Sequence, residues 1–320
     1  MTIRIGNAPC SWGSLEFDGM EGQALTCERM LDELVETGYC GTELGDWGFM
    51  PTEPDALRGV LEPRSVTMIG AFVPVRFCDA TAHDSGVADA VRVAKLLTGA
   101  ASPDHAPMII LADENGTVTE RTANAGRVTV AMGLDDAAWA VFAKGVETVS
   151  RAVLEATGLP VGFHHHCAGY VETPEEIDAL LHRTSPELLG LVFDTGHYAF
   201  GAGDRDGSLT RAGMERFADR ITHVHYKDCE PTIADQAAAE NWDYFKSVGE
   251  GVFCELGKGC VDFAWTTQWL RDRNYNGFIT VEQDVLPGMG APKESAKRNR
   301  EYLKILGLSL IHISEPTRPY

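Results

Sequence analysis

Four apolar runs in this chain stop at side chains that could hold a metal ion. Phe193-Asp194-Thr195-Gly196-His197, His223-Val224-His225-Tyr226-Lys227-Asp228 and Thr280-Val281-Glu282 each end in carboxylates, imidazoles or an amine, and Val161 to Phe163 opens onto His164-His165-His166. Each run reads as a buried strand. In a barrel of parallel strands the carboxyl ends share one face, so residues distant in sequence meet there.

Asp194 follows Leu189-Gly190-Leu191-Val192-Phe193, which puts its carboxylate either in a helix cap or at the barrel mouth, with His197 in reach of the same pocket. His223 and His225 alternate along a strand and share a side. Val224 and Tyr226 suit a helix layer, so the histidines face inward, His225 as ligand and His223 as a core histidine. Lys227 and Asp228 follow at the mouth. Glu282 ends Phe278-Ile279-Thr280-Val281, where a carboxylate is costly unless paired or ligating. Glu43 ends an earlier run in the same way, as a pocket carboxylate or the partner of a lysine. Period-two alternation places His164 and His166 on one side and His165 on the other. His164 is then the ligand and His166 a substrate contact.

The expected set is His164, Asp194, His225 and Glu282. Mixed oxygen and nitrogen donors suit Mn²⁺, Co²⁺, Fe²⁺ or Zn²⁺ better than Ca²⁺ or Mg²⁺. Such an ion beside a lysine and spare carboxylates favours chemistry on a carbonyl, with a base removing the α-proton.

These residues need a scaffold that brings strand ends together. Apolar runs and turn signals predict strands at Ile3–Ala8, Cys40–Leu44, Ser65–Val73, Met108–Ala112, Val161–His164, Gly190–Phe193, Thr222–Tyr226 and Gly277–Glu282. Between them fall helices at Leu25–Thr37 (ended by Gly38), Pro54–Leu61, Ser85–Leu97, Asp135–Thr157, one opened by Thr173-Pro174-Glu175-Glu176, Ser208–Ala218, Phe263–Asp272 and Lys293–Leu306. Eight strands, each followed by a helix and with no hairpin, predict a single-domain α/β protein, a (β/α)₈ TIM barrel over 1–308. An open doubly wound sheet would carry a G-x-G-x-x-G loop after its first strand, and Gly6-Asn7-Ala8-Pro9-Cys10-Ser11-Trp12-Gly13 is not one. Glu230–Val252 reads as an insertion over the mouth. The tail 309–320, His312 included, fits no element, resembles translated adaptor sequence and is set aside.

A net charge of −20, with 47 acidic residues against 27 Lys and Arg, opposes nucleic-acid binding and favours a neutral or metal-assisted substrate. No apolar run has the roughly 20 residues a membrane span needs. The amino terminus enters a strand pattern without a secretory signal and the eight cysteines form no C-x-x-C pair, so a cytoplasmic protein with reduced thiols is expected. Barrels of this kind often associate, so a homo-oligomer is an open possibility.

Phe193–His197, His223–Asp228 and Glu282 are similar to the metal motifs of the xylose-isomerase-like barrel superfamily. More narrowly, Asn7–Gly13, Gly41–Gly45, Gly48–Pro51 and Gly257–Phe263 look like inosose dehydratases. The resemblance covers Ile3 to Leu308. It implies a Mn²⁺- or Co²⁺-dependent loss of water from a keto-inositol, a small polyol substrate. It also implies Trp12, His166 and Asp228 in the substrate pocket and His197, Lys227 and Glu43 as acid–base candidates. Many superfamily members place a glutamate at the end of the fifth strand where this chain has His164. The histidine run is nearer the dehydratases' pattern and leaves the fourth ligand between His164 and His166. An isomerase or epimerase acting on a ketose or hydroxypyruvate through the same enediolate, and a non-catalytic sugar-binding barrel, are the alternatives. The acidic charge opposes the endonuclease branch.

Overall fold

The computed structural model describes residues 3–13, 25–285 and 290–309. Eight parallel strands close into a barrel: β1 Ile3–Asn7, β2 Gly41–Glu43, β3 Thr67–Val75, β4 Met108–Asp113, β5 Val161–His164, β6 Gly190–Asp194, β7 Ile221–Tyr226 and β8 Gly277–Val281. Each strand pairs with its sequence neighbours and β8 closes onto β1. The expected single-domain (β/α)₈ barrel is what forms. Of the tail 309–320, set apart from the fold by its sequence, all beyond Ser309 lies outside the described residues.

Large side chains opposite glycines fill the barrel interior. A Cβ on Gly41 would meet Phe278 at 2.5 Å, and one on Gly162 would meet Met108 and Val192 at 2.8 Å. Met108, Ile110 and Val192, with Phe72 against them, pack as an interior cluster separate from the larger core between sheet and helices. The lower barrel is therefore filled, and open space is left at the carboxyl ends.

Local signals govern the helix ends. Thr173 and Glu176 form a reciprocal capping box with Pro174 in the first turn of the helix Pro174–Arg183. Gly38, at φ 94°, ends the helix Cys27–Thr37 and bonds back to Leu34 and Val35. Strand and helix limits otherwise move by one to three residues from those expected. β3, for example, runs Thr67–Val75 rather than Ser65–Val73.

Two features depart from the expected plan. A helix, Thr195–Ala202, starts directly at the end of β6 in a stretch where the sequence pattern predicts no helix, although a helix cap is one of the two places it offers Asp194. The inserted stretch contains helices Pro231–Glu240 and Tyr244–Gly249 and is closed by a short antiparallel ribbon pairing Asp228–Cys229 with Phe253–Cys254. An antiparallel pair thus does occur, outside the barrel sheet. No helix among the described residues is long and apolar enough to cross a membrane.

Candidate metal centre and active site

Strand register sets the site. Asp194 on β6 is level with His225 on β7, and His225 is level with Thr280 on β8, two residues before Glu282. Ligand atoms of His164, Asp194, His225 and Glu282 all lie within 4.8 Å of one another. His225 Nδ1 is 3.2 Å from Glu282 Oε1 and 3.8 Å from Asp194 Oδ2, and His164 Nε2 is 3.6 Å from Asp194 Oδ2. His164 belongs to this group and His166 stands outside it.

Asp194 is both cap and candidate ligand. Its Oδ1 accepts from the His197 amide at 2.7 Å, capping the helix Thr195–Ala202. Its Oδ2 is fully buried with no hydrogen-bond partner, as is His225 Nδ1. Buried polar atoms left unpaired are costly, and a cation among two imidazoles and two carboxylates would satisfy them together. The residues present fit a divalent transition ion, with His164, Asp194, His225 and Glu282 to hold it. Burial lowers the His164 imidazole to about 3, leaving it in the neutral form that ligates.

Glu43 takes a place the strand pattern did not predict. It sits at a register shift between Thr42 and Glu43 where β2 meets β3, and its Oε1 lies 2.9 Å from His225 Nε2 and 3.7 Å from His223 Nε2. A shift of this kind re-aims a side chain. Burial alone would raise the Glu43 carboxyl, but His225 and the hydrogen bonds of both histidines hold it down at about 2. A carboxylate behind a ligating imidazole fixes ring orientation and raises ligand basicity. His223 is bonded to Thr280 Oγ1 at 3.0 Å and behaves as the core histidine expected.

Above the ligands opens a cleft lined by Pro9, Cys10, Glu43, Asp46, Phe72, His164, His166, Lys227, Tyr244, Glu282 and Asp284 among others. Lys227 Nζ lies 3.3 Å from each of Glu282 Oε2, Asp284 Oδ2 and His197 Nε2. Burial alone would lower this ammonium, but Asp284, Glu282 and Asp194 hold it well above an ordinary lysine, so it is charged. His166 Nδ1 is 2.6 Å from its neighbour's carbonyl, Cys167 O, which makes Nδ1 the protonated nitrogen and leaves the lone pair on Nε2.

Three expected site residues sit elsewhere. His197 is fully buried and does not line the cleft; its ring packs 3.8 Å from that of His166 and its Nε2 faces Lys227. It supports those two groups from behind. Asp228 is fully buried and accepts from the amides of Cys229, Gly257, Gly259 and Val261, so its oxygens are used in anchoring the loop Gly257–Val261. Trp12 is buried with its indole N–H on Asn7 Oδ1 at 2.8 Å, and its neighbours Pro9 and Cys10 line the cleft instead.

Asp284, Tyr244 and Phe72 were missed. Asp284 lies two residues past Glu282, beyond the end of the apolar run that marks the strand. Tyr244 comes from the inserted segment, whose sequence carries no periodic signal pointing into the barrel.

A family model described as the xylose isomerase-like TIM barrel matches residues 31–306. The chain belongs to that family. Xylose isomerase-like relatives include an inosose dehydratase of Geobacillus kaustophilus, 30% identical over 301 residues and covering 94% of each chain. One of Lacticaseibacillus casei is 28% identical, covering 95% of this chain and 97% of its own. Among solved structures, a probable 3-DHS dehydratase of Bacillus anthracis superposes with a TM-score of 0.66 at 13% identity, covering 94% of this chain and 99% of the other. A 3-keto-D-glucoside 4-epimerase of E. coli gives 0.63 at 12% identity, covering 95% and 100%. These two likenesses speak to the fold alone.

Proposed function

We propose that the protein is a metal-dependent hydro-lyase that removes water from a keto-inositol. The observation carrying this reading is the convergence of His164, Asp194, His225 and Glu282 beneath a cleft holding a charged lysine and a neutral histidine, in a chain related over nearly its full length to inosose dehydratases. The donor set suits Mn²⁺ or Co²⁺, and Zn²⁺ or Fe²⁺ also fit it. When bound, the ion supplies Lewis acidity toward a ketone and a neighbouring hydroxyl.

The remaining chemistry falls to the chain. His166, with its Nε2 lone pair available, takes the proton α to the ketone. Lys227, held as an ammonium, donates to the β-hydroxyl, which leaves as water. The enol that remains ketonises to a trihydroxycyclohexane dione. His197 keeps both groups in place, through its ring against His166 and its Nε2 toward Lys227. Tyr244 from the inserted segment and Phe253 from the ribbon that closes it help to screen the lysine: Tyr244 lines the cleft and the Phe253 ring lies 4.9 Å from Nζ. A drier site strengthens each of these electrostatic contacts.

The test is an assay of purified protein with 2-keto-myo-inositol, with and without added Mn²⁺ or Co²⁺, following the ultraviolet absorbance of the dione. Metal-dependent appearance of dione is expected. Recovery of an isomerised or epimerised sugar with no loss of water would move the assignment to an isomerase on the same barrel. No turnover with either metal, nor with Zn²⁺ or Fe²⁺ added in their place, would count against catalysis on this substrate altogether.

A further inference from the structure

The charges around the cleft raise a question of substrate selection. Among its described lining residues are four carboxylates, Glu43, Asp46, Glu282 and Asp284, a single cationic side chain, Lys227, and no arginine. A buried lysine facing a substrate cleft is ordinarily an anion site, ready for a carboxylate or a phosphate. Here the ammonium already has two partners at 3.3 Å, Glu282 Oε2 and Asp284 Oδ2. Glu282 is shared, since its Oε1 lies 3.2 Å from His225 Nδ1 in the ligand cluster. Asp284 is not in that cluster. It is buried, lines the cleft, and accepts a hydrogen bond from Lys227 Nζ.

We propose that Asp284 sets the charge class of the substrate. By engaging Lys227 it draws the single cationic side chain among the described lining residues away from anionic ligands, while its own carboxylate and that of Asp46, neither of them in the ligand cluster, accept hydrogen bonds from hydroxyls and repel a substrate carboxylate or phosphate. The site is thereby confined to uncharged polyols. Asp284 acts through Lys227 and is a specificity-determining, positioning residue. The inference deepens the keto-inositol reading and rests on it for ring size, but not for the direction of selection.

The experiment measures binding to the Mn²⁺-loaded full chain by calorimetry, using myo-inositol as the uncharged probe and shikimate as an anionic polyhydroxylated ring of the same size. The wild type is expected to favour myo-inositol at least about tenfold. Asp284→Asn, which keeps the shape and removes the charge, is expected to shift the ratio toward shikimate by about ten- to a hundredfold, an effect that weakens with added salt. Asp284→Glu is expected to keep the wild-type ratio, which a purely structural role for residue 284 does not require. A wild type that binds shikimate as well as myo-inositol overturns the proposal, as does a ratio within twofold of wild type in Asp284→Asn. If Asp284→Asn does not fold, the wild-type preference decides alone. If myo-inositol binds neither protein, the change in shikimate affinity decides. Failure of the dehydratase reading is separate: no dione forms from 2-keto-myo-inositol, yet the shift in binding ratio persists.

Discussion

Replacing Glu43 by glutamine separates two roles that the same carboxylate could play. Glu43 is 3% exposed and its Oε1 lies 2.9 Å from Nε2 of His225, whose other nitrogen faces Asp194 and Glu282. A glutamine oxygen can accept from the same nitrogen, so ring orientation survives while the negative charge that raises imidazole basicity is lost. Removing such a supporting group costs about 10- to 100-fold in metal affinity, or about 1.4–2.7 kcal/mol. Glu43→Ala goes further, because it removes both the charge and the oxygen that lies 2.9 Å from this buried nitrogen, a loss of about 1–3 kcal/mol by itself. Metal affinity is measured by competition with a chromophoric chelator, and kcat is measured on 2-keto-myo-inositol at saturating metal. The expected outcome is weaker binding in the order wild type, Glu43→Gln, Glu43→Ala, with kcat of Glu43→Gln within about tenfold of wild type once the site is filled. The reasoning is refuted if Glu43→Gln binds metal within twofold of wild type but loses more than about a thousandfold in kcat, the signature of an acid–base catalyst.

Asp194→Ala and Glu282→Gln each remove a donor from the cluster and are expected to lower bound Mn²⁺ from one equivalent per chain to below a tenth at micromolar metal, read by elemental analysis after gel filtration; full occupancy in both would dismiss the proposed ligand set. Arg121 is fully buried and makes a two-pronged pair with Glu176 at 2.7 and 2.8 Å, with a third bond to Gly169 O. Glu176 in turn accepts from the Glu172 and Thr173 amides in the segment that follows His166, so Arg121→Met should cost about 3–5 kcal/mol in urea unfolding, and a loss below 1 kcal/mol would contradict it. Asp228→Ala leaves four backbone donors without their acceptor and should destabilise by about 3 kcal/mol while KM of the folded fraction stays within about twofold; a large rise in KM with unchanged stability would restore Asp228 to the substrate pocket.

Much of the barrel is legible along the chain because its strands are local objects. Leu189–Phe193 and Phe278–Val281 are apolar, flanked by turn signals, and separated by amphipathic helices with readable ends such as Gly38 and the Thr173–Glu176 box. Alternation of strand and helix implies parallel pairing, and parallel pairing implies that strand ends converge. Asp194, His225 and Glu282 are visible for that reason, as polar residues terminating buried runs. His164 and His166 are visible as a pair on one side by period-two alternation, with His164 the ligand candidate because it ends the apolar run; the structure has β5 end at His164 and leaves His166 two residues beyond the strand.

What the chain could not tell by itself depends on distances between elements. Glu43 lies behind His225 because the β2–β3 register shifts at that residue, and a register shift has no signature in a three-residue strand. His197 withdraws behind His166 because Asp194 caps a helix that begins at once, turning residue 197 away from the cleft. Asp228 looks like a mouth residue by position, yet the loop Gly257–Val261 folds over it with three amides. Asp284 pairs with Lys227 across two strand ends, 57 positions apart in sequence. Sequence pattern brings the polar residues that end buried strands to the mouth of this barrel; closure of the sheet and the loops above it add Phe72, Tyr244 and Asp284 and decide which residues face metal, substrate or only each other, because those choices turn on ångström-scale offsets that residue type does not encode.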